Sequence, residues 1–172
     1  VQTCALPISS NEDNWMIRDI IEIRTATIAD LTQIAAVEAE CFPAAEAATK
    51  EEFSERIKYY GNHFWLMFED EKLIAFVDGF VTDKSDLTDE MYERAEMHDE
   101  NGAWQMIFGV NTIPAYRKHG YAGQLLQCAI EDARKQGRKG LVLTCKEKLI
   151  AYYAKFGFEN EGISESVHGN VT

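Results

Sequence analysis

One stretch of the chain decides the fold: residues 110–123 read Val-Asn-Thr-Ile-Pro-Ala-Tyr-Arg-Lys-His-Gly-Tyr-Ala-Gly. The stretch ends an apolar run that begins at Trp104 and is typical of a strand, and it leads into a helical pattern that extends to Gln136. The first N–H groups of a helix have no intrahelical acceptor and bind phosphate oxygens, and Gly120 and Ala122 let a ligand approach closely. The turn is therefore predicted to hold an anion, although a simple helix cap explains the same residues.

Strands and helices alternate around this turn. After the helix, an apolar strand over 140–144 is followed by a short helix over 148–156 and by another strand from Phe158. A strand, a helix and a strand in this order imply a parallel crossover. Earlier in the chain, apolar runs over 63–68 and 73–81 are joined by a tight turn and predict an antiparallel hairpin. The expected fold class is therefore α/β with a mixed sheet.

The composition excludes several classes of function. Of the 172 residues, 46% are apolar and 27% are charged, which predicts one soluble globular domain. No run of 18 apolar residues occurs, so no membrane partner is expected. Acidic residues outnumber basic ones by 29 to 17, which argues against a nucleic-acid partner. Residues 117–148, with eight basic and three acidic side chains, reverse this balance at the predicted anion site.

Cysteine spacing gives no sign of a metal site. The cysteines of the chain are Cys4, Cys41, Cys128 and Cys145. They lie far apart, without a Cys-x-x-Cys pair and without a histidine at ligand spacing. We therefore expect reduced thiols, no metal and a cytoplasmic location.

The turn resembles motif A of the GCN5-related N-acetyltransferases (the GNAT superfamily), [Q/R]-x-x-G-x-[G/A], which here runs from Arg117 to Ala122. Residues 150–158 resemble the second signature of the family, an aromatic-Tyr pair before Gly-Phe. Residues 143–158 are similar to arylalkylamine (serotonin-type) members in particular. The likeness covers residues 21 to about 165 and implies the GNAT fold: a mixed sheet of about six to seven strands, flanked by helices, with a splayed fourth and fifth strand.

The resemblance implies an N-acetyltransferase with acetyl-CoA as co-substrate. Its pyrophosphate would lie on the backbone of residues 118–123, and its pantetheine arm would pair with the preceding strand. The cofactor-binding residues implied in this way are Val110, Asn111, Thr112, Arg117, Lys118, His119, Gly120, Tyr121, Ala122 and Gly123. One amide of the strand would stabilise the oxyanion that forms at the thioester.

Tyr153 stands at the general-acid position of the family. A phenol has a pKa of about 10 and a thiol a pKa of about 8.5, so near neutral pH a tyrosine holds a proton that it can give to a departing thiolate. The alternative is that Tyr153 only packs against the sulfur of the cofactor. Tyr152 matches a packing aromatic of the family and is assigned to the core.

The general base is less well defined. Two histidines of the arylalkylamine enzymes are replaced here by Met106 and Phe108, which cannot accept a proton. An alkyl ammonium with a pKa of about 10 still has to lose a proton before it attacks. Glu46, in the loop between the first two predicted helices, is the candidate base. Glu38, Glu40, Asp78 and a water chain are alternatives, and an ordinary surface or capping role is open for each carboxylate.

The acceptor is expected to be a small primary amine, an arylalkylamine or a polyamine. Acidic residues together with Trp65, Phe80 and Trp104 suit a cation with an apolar body, although aromatic residues at strand spacing also suit the core. His63 and His98 have no predicted partners and are assigned to surface or capping roles. A protein-lysine or N-terminal acetyltransferase and a non-catalytic acetyl-CoA sensor are alternatives, and a homodimer is considered as well.

The two ends of the chain are interpreted separately. Residues 1–8 lack an initiator Met and resemble the translation of a sequencing adapter, so residues 1–15 are predicted to be a non-native or disordered extension. Residues 16–172 are then a single GNAT acetyltransferase domain. The last strand of the family would begin near Ser166, and it is predicted to be truncated.

Overall fold

The computed structural model describes residues 4–9 and 18–163. The strands within them are β1 Cys4–Ser9, β2 Arg18–Thr25, β3 Phe64–Glu69, β4 Lys72–Asp78, β5 Val81–Thr82, β6 Trp104–Ile107, β7 Gly109–Thr112 and β8 Gly140–Leu143. The α-helices are α1 Leu31–Cys41, α2 Lys50–Tyr60, α3 Asp89–Glu93, α4 Tyr121–Lys135 and α5 Ile150–Ala154. None of these helices combines the length and the apolar character that a membrane span requires.

The strands form two sheets. One sheet has the order β1-β2-β3-β4-β7 and is antiparallel throughout. The other has the order β5-β6-β8, in which β6 and β8 run parallel and are connected through α4. The α/β class with parallel and antiparallel pairing is thus confirmed. The described residues hold eight strands in two sheets, whereas the sequence predicts about six to seven in one.

The predicted strand over 104–112 is interrupted at Phe108, where the chain passes from one sheet to the other. β6 pairs with β8 as far as Ile107 opposite Leu143, whereas β7 pairs with β4. Backbone hydrogen bonds still join the two sheets, because Phe108 N–H donates to Asp78 C=O over 2.7 Å. β7 and β8 therefore diverge from a common origin, which is the splayed pair of strands that the sequence predicts.

Local sequence explains where two of the helices begin. The hydroxyl of Thr49 accepts a hydrogen bond from Glu52 N–H, and the Glu52 carboxylate accepts one from Thr49 N–H, which is a capping box at the start of α2. α4 begins after Gly120, whose φ of 76° lies in the left-handed region that favours glycine. Leu125 and Ala129 are one turn apart on the buried face of α4.

Neighbouring residues of β3 point to the two helical layers. The ring of Phe64 lies 6.2 Å from that of Phe53 on α2. Trp65 points the other way, and its indole N–H donates to Asp132 of α4 over 2.8 Å. Since side chains alternate between the faces of a strand, the five-stranded sheet lies between α1 and α2 on one face and α4 on the other.

The ends of the described chain differ from two expectations. Cys4–Ser9, inside the predicted extension 1–15, form β1 and pair with β2, in contrast to the disorder considered there. The non-native origin of the extension stays a prediction. Residues 158–163 have no regular secondary structure, so the strand predicted from Phe158 is absent from them. The truncated strand near Ser166 lies outside the described residues.

Candidate active site

The free edge of β7 lines the opening between β7 and β8. Ile113 N–H donates to Ile74 C=O over 3.0 Å. Because backbone groups alternate in direction along an antiparallel strand, those of Asn111 then point at β4, whereas those of Val110 and Thr112 point away from it. No strand of the described residues covers that second edge. An extended ligand could therefore pair with the backbone of Val110 and with Thr112 N–H, whereas Thr112 C=O accepts from the side chains of Cys41 and Arg117.

The turn before α4 exposes basic side chains and backbone N–H groups. Lys118 and Gly120 both have positive φ angles, 67° and 76°, which bend the chain sharply into the helix. The N–H groups of residues 121–123 precede the first hydrogen bond of α4, which Gly120 C=O accepts. Arg117 fixes the turn to β7, because its Nε donates to Thr112 C=O over 3.0 Å. The turn thus has the features of an anion site.

Gly123 has a packing role that the sequence does not reveal. A side-chain carbon at Gly123 would lie 3.0 Å from the ring of Phe156, just beyond α5. Ala122 is half-buried beside it, while His119 is exposed and stacks on Tyr121 with 5.6 Å between ring centroids. The first turn of α4 therefore contacts the segment that carries the second sequence signature.

Tyr153 of α5 is buried among aromatic rings. Its ring centroid lies 5.1 Å from that of Tyr152 and 6.0 Å from that of Phe158. Burial raises the pKa of Tyr153 well above its usual value of about 10, and the neighbouring Tyr152 and Cys145 raise it further. Because Cys145 comes two residues after β8, Tyr153 lies on the β8 side of the opening. The phenol keeps its proton throughout the neutral range.

Glu38 of α1 is a buried carboxylate in contact with β7. One of its oxygens accepts a hydrogen bond from Asn111 Nδ2 over 3.0 Å and the other from Ala48 N–H over 2.8 Å. Burial raises the pKa of Glu38 to about 7, and the negative charge of Asp78 contributes, whereas Ala48 N–H, Arg56 and Asn111 oppose the increase. A carboxylate with this pKa takes up and releases its proton near neutral pH, as a general base must.

A second buried carboxylate, Asp78, pairs with Arg56 of α2. Nη1 of Arg56 donates to Asp78 Oδ2 over 3.2 Å, and Nη2 donates to Tyr92 C=O over 3.1 Å. Burial raises the pKa of Asp78 to about 6, although Arg56 opposes the increase. A side-chain carbon at Gly109 would lie 3.0 Å from Asp78 Oδ1, so glycine leaves room for this carboxylate beside β7. We refer to Glu38, Arg56, Asp78 and Asn111 as the carboxylate cluster.

The other candidate bases lie apart from β7. Glu46 is half-buried in the turn after α1, where its N–H donates to Pro43 C=O over 2.9 Å, and Glu40 is exposed. The hydrogen bonds and ion pairs of the described residues connect neither carboxylate to β7. Met106 is fully buried, and the ring of Phe108 packs among other aromatic rings. The positions of the histidine pair thus carry core residues.

The aromatic residues considered for the amine entrance are part of the core. Trp65 and Phe80 are buried within the main hydrophobic cluster. Trp104 is half-buried, and its ring covers Gly140 so closely that a side-chain carbon there would lie 2.9 Å away. The core assignment, which the sequence left as an alternative, therefore describes these three residues.

Three residues that the sequence did not connect form a second polar cluster. His63 Nε2 and His98 Nε2 lie 2.6 and 2.8 Å from the same oxygen of Glu100. The surface or capping role predicted for His63 is wrong, because its side chain is completely buried. Glu100 lies 37 residues after His63, so no local spacing could have signalled the contact. We refer to His63, His98 and Glu100 as the histidine cluster.

The histidine cluster has the composition of a metal site, but its hydrogen bonds favour a structural role. Oε1 of Gln105 accepts from His63 Nδ1 over 2.9 Å, since the amide nitrogen of Gln105 already donates to carbonyl groups. Val81 N–H donates to His98 Nδ1 over 3.0 Å, so the proton of neutral His98 is on Nε2, facing Glu100. Burial lowers the pKa of His98, which keeps that ring neutral. A protonated nitrogen has no lone pair for a metal.

The diverging strands and the helix start beside them form an opening in which an extended, anionic ligand could lie. The acetyltransferase (GNAT) family model matches residues 31–158. The chain therefore belongs to the GNAT family, which confirms the resemblance that residues 110–123 and 150–158 carry.

The chain is also similar to individual members of the family. Serotonin N-acetyltransferase of Mesocricetus auratus is 28% identical over 106 residues, which are 61% of this chain and 50% of that protein. The chain thus spans about half the length of this relative. The loading GNATL domain of CurA from Lyngbya majuscula has a TM-score of 0.68 at 19% identity, over 78% of this chain and 69% of the other. Arabidopsis thaliana Naa50, in complex with a bisubstrate analogue, CoA-Ac-MVNAL, has a TM-score of 0.60 at 19% identity, over 81% and 83%.

Proposed function

We propose that this chain transfers an acetyl group directly from acetyl-CoA to a small primary amine. The observation that carries the proposal is the contact of Glu38 with Asn111. It puts a buried carboxylate, with a pKa of about 7, beside the strand whose free edge suits an extended ligand. Membership of the GNAT family supports the same reaction.

Groups of the chain itself account for binding of the co-substrate. The backbone of Val110 and the N–H of Thr112 would pair with the pantetheine arm. The N–H groups of residues 121–123, together with the exposed Arg117 and Lys118, would hold its phosphates. A β7 amide that faces the opening would stabilise negative charge on the thioester oxygen.

Glu38 would act as the general base. An alkyl ammonium has a pKa of about 10 and must lose a proton before nitrogen attacks the thioester. A base with a pKa of about 7 is a stronger acceptor than an ordinary glutamate, and about half of it is ionised at neutral pH. Because Glu38 is 7% exposed, a water molecule would carry the proton between them. Glu46, the base expected from the sequence, is the second candidate.

Tyr153 would act as the general acid. Its buried phenol is protonated at neutral pH and lies near Cys145, which follows β8. The departing CoA thiolate would receive that proton, and the amine nitrogen would lose its own proton to Glu38. Separation of the two proton transfers in this way lets one site serve as base and acid in the same turnover.

The charge of the carboxylate cluster favours a cationic acceptor. The cluster holds two carboxylates and one guanidinium, which pairs with Asp78, so it carries one negative charge when both carboxylates are ionised. An ammonium group restores the balance, whereas an acceptor with a carboxylate beside its amine would be repelled. An arylalkylamine or a polyamine meets this condition. A cytoplasmic location and a homodimer stay predictions of the sequence.

The test is acetyl transfer to a panel of amines, with thiol release as readout. The panel contains tryptamine, spermidine, free tryptophan and a peptide with a free N-terminus. We expect turnover with tryptamine or spermidine and little with tryptophan, whose carboxylate adjoins the amine. Binding of acetyl-CoA without turnover on any member would support a sensor and contradict the proposal, and turnover on the peptide alone would support an N-terminal acetyltransferase.

Tyr153→Phe tests the general acid within the same assay. Removal of the hydroxyl is expected to lower kcat about 100-fold, because general acid catalysis is worth about that factor. The affinity for acetyl-CoA, measured by calorimetry, should stay unchanged. Tyr59→Phe is the matched control, since Tyr59 is exposed on α2. An unchanged kcat in Tyr153→Phe would leave this residue with a packing role only.

A further inference from the structure

We propose that Asp78 and Arg56 are a positioning pair for Glu38, which holds an uncompensated negative charge beside the base. This inference rests on the proposed function. Three elements bring the groups together: Glu38 lies on α1, Arg56 on α2 and Asp78 on β4. Asn111 of β7 connects them, because its amide nitrogen donates to Glu38 over 3.0 Å and lies beside Asp78: a side-chain carbon at Gly109 would be 3.3 Å from this nitrogen and 3.0 Å from Asp78 Oδ1.

Geometry distinguishes the two carboxylates. Asp78 receives the guanidinium of Arg56 directly, over 3.2 Å. Glu38 receives hydrogen bonds from uncharged donors, Ala48 N–H and Asn111 Nδ2. The guanidinium of Arg56 thus pairs with Asp78. Glu38 is the carboxylate that stays available for a second cation.

The titratable groups around Glu38 act in opposite directions. Asp78 on β4 repels the ionised form of Glu38, and Arg56 on α2 attracts it. Cys41, on the same helix as Glu38, is the other titratable group that interacts with it, and its thiol pKa is raised by burial. Asp78 and Arg56 therefore set when Glu38 gains a proton, although neither has a hydrogen bond to it among the described residues.

Hydrogen bonding in the cluster is incomplete. Arg56 Nε and Asn111 Oδ1 are buried and have no hydrogen-bond partner among the described residues. The hydroxyl of Tyr60, which influences the pKa of Arg56, is likewise buried and has no hydrogen-bond partner among the described residues. Unsatisfied buried groups cost free energy, so a cluster that served stability alone would be expected to pair them. Such departures from local consistency are typical of functional sites.

Two substitutions with opposite expected effects test the pair. Asp78→Asn removes the repelling charge and leaves the Arg56 charge to Glu38, so Glu38 should hold its proton less tightly. Arg56→Gln removes the attracting charge, so Glu38 should hold its proton more tightly. Because the base must be ionised, the acidic limb of the kcat/KM profile should move by about one pH unit, downward in Asp78→Asn and upward in Arg56→Gln.

The measurement is kcat/KM against pH for the best amine of the panel, with acetyl-CoA saturating. Glu40→Gln, an exposed carboxylate on the same helix, is the matched control and should leave the acidic limb in place. If the acidic limbs of the kcat/KM profiles coincide in wild type and in both variants, the positioning role is overturned. Retention of full activity in Glu38→Gln would instead overturn the base assignment in the proposed function, so the two failures are distinguishable.

A direct titration covers variants that fail to fold. Thermal unfolding identifies the variants that do not fold. One folded variant is enough for the test, because the expected shift of the acidic limb has its own direction in each. If neither folds, ¹³C-detected titration of the side-chain carboxyls in the wild-type chain decides. We expect Asp78 and Glu38 to titrate as a coupled pair, with pKa values of about 6 and about 7. Independent titration of both groups near ordinary carboxyl values would overturn the inference.

Discussion

The carboxylate cluster and the histidine cluster are both buried, yet their charges are arranged differently. In the carboxylate cluster, the guanidinium of Arg56 pairs with Asp78 alone, and two polar atoms, Arg56 Nε and Asn111 Oδ1, have no hydrogen-bond partner among the described residues. In the histidine cluster, each ring nitrogen of His63 and His98 has a hydrogen-bond partner. The first cluster contacts β7 at the opening, whereas the second closes the start of β3 against the loop before β6.

This difference indicates a chemical role for the carboxylate cluster and a structural role for the histidine cluster. Satisfied polar groups hold segments together, and their removal leaves partners buried without hydrogen bonds. A cluster with surplus negative charge is kept at a cost to stability, and it attracts a cation or a proton. We therefore expect substitutions in the two clusters to separate activity from stability in opposite ways.

Glu38→Gln should give the largest effect. Loss of the general base is expected to lower kcat about 100-fold, because base catalysis contributes about that factor or more. The fold should be preserved, since an amide oxygen can still accept from Ala48 N–H and the Glu38→Gln amide nitrogen can donate to Asn111 Oδ1. Steady-state kinetics with the best amine measure the change, and Glu40→Gln is the control. Near-wild-type kcat would remove the distinction between the clusters.

His63→Ala should act on stability instead. It leaves the buried Oε1 of Gln105 without its partner, removes one of the contacts of Glu100 and creates a cavity beside Trp65, which is expected to cost about 3 kcal/mol of unfolding free energy. Urea denaturation measures the loss, with the exposed His119→Ala as a control that should change stability little. The kcat of the folded fraction should remain within about twofold. A kcat that falls with stability intact would give the histidine cluster a chemical role.

The pH dependence of stability should differ between wild type and Glu38→Gln. Burial raises the pKa of Glu38 from 4.5 to about 7, so ionisation of this group in the folded state opposes folding above pH 7. As the pH falls from about 7 toward 4.5, this cost disappears. Glu38→Gln should therefore be more stable than wild type by about 2 kcal/mol at pH 8 and no more stable near pH 4.5. If the difference in stability between wild type and Glu38→Gln does not change with pH, the raised pKa of Glu38 is contradicted.

The turn before α4 and the fold were predictable because their signals are local. The spacing of Arg117, Gly120 and Ala122 marks the start of α4, and the alternation of apolar runs gives the strands on either side. The interruption at Phe108 was not predictable, because an apolar residue in an apolar run carries no sign of a change of sheet. Only the three-dimensional pairing, with β8 on one side and β4 on the other, defines it.

The candidate base illustrates the limit of sequence reasoning. Four carboxylates were comparable in the sequence, since each lies in a helix, loop or strand of the correct region. Glu38 is distinguished by burial and by Asn111, which lies 73 residues away. Local sequence holds no information about such a partner, whereas Tyr153 could be proposed as the general acid because the signature around it is contiguous. The burial and the partners of His63 could not be predicted for the same reason.

The open edge of β7 has a consequence for solubility. A strand with unpaired N–H and C=O groups is a template on which another chain can add, and exposed edges are a common origin of aggregation. β7 is only four residues long, which reduces the tendency to aggregate but does not abolish it. A ligand that pairs along Val110 and Thr112 would cover this exposed strand edge. A supply of co-substrate would then protect the folded protein from self-association as well as sustain turnover.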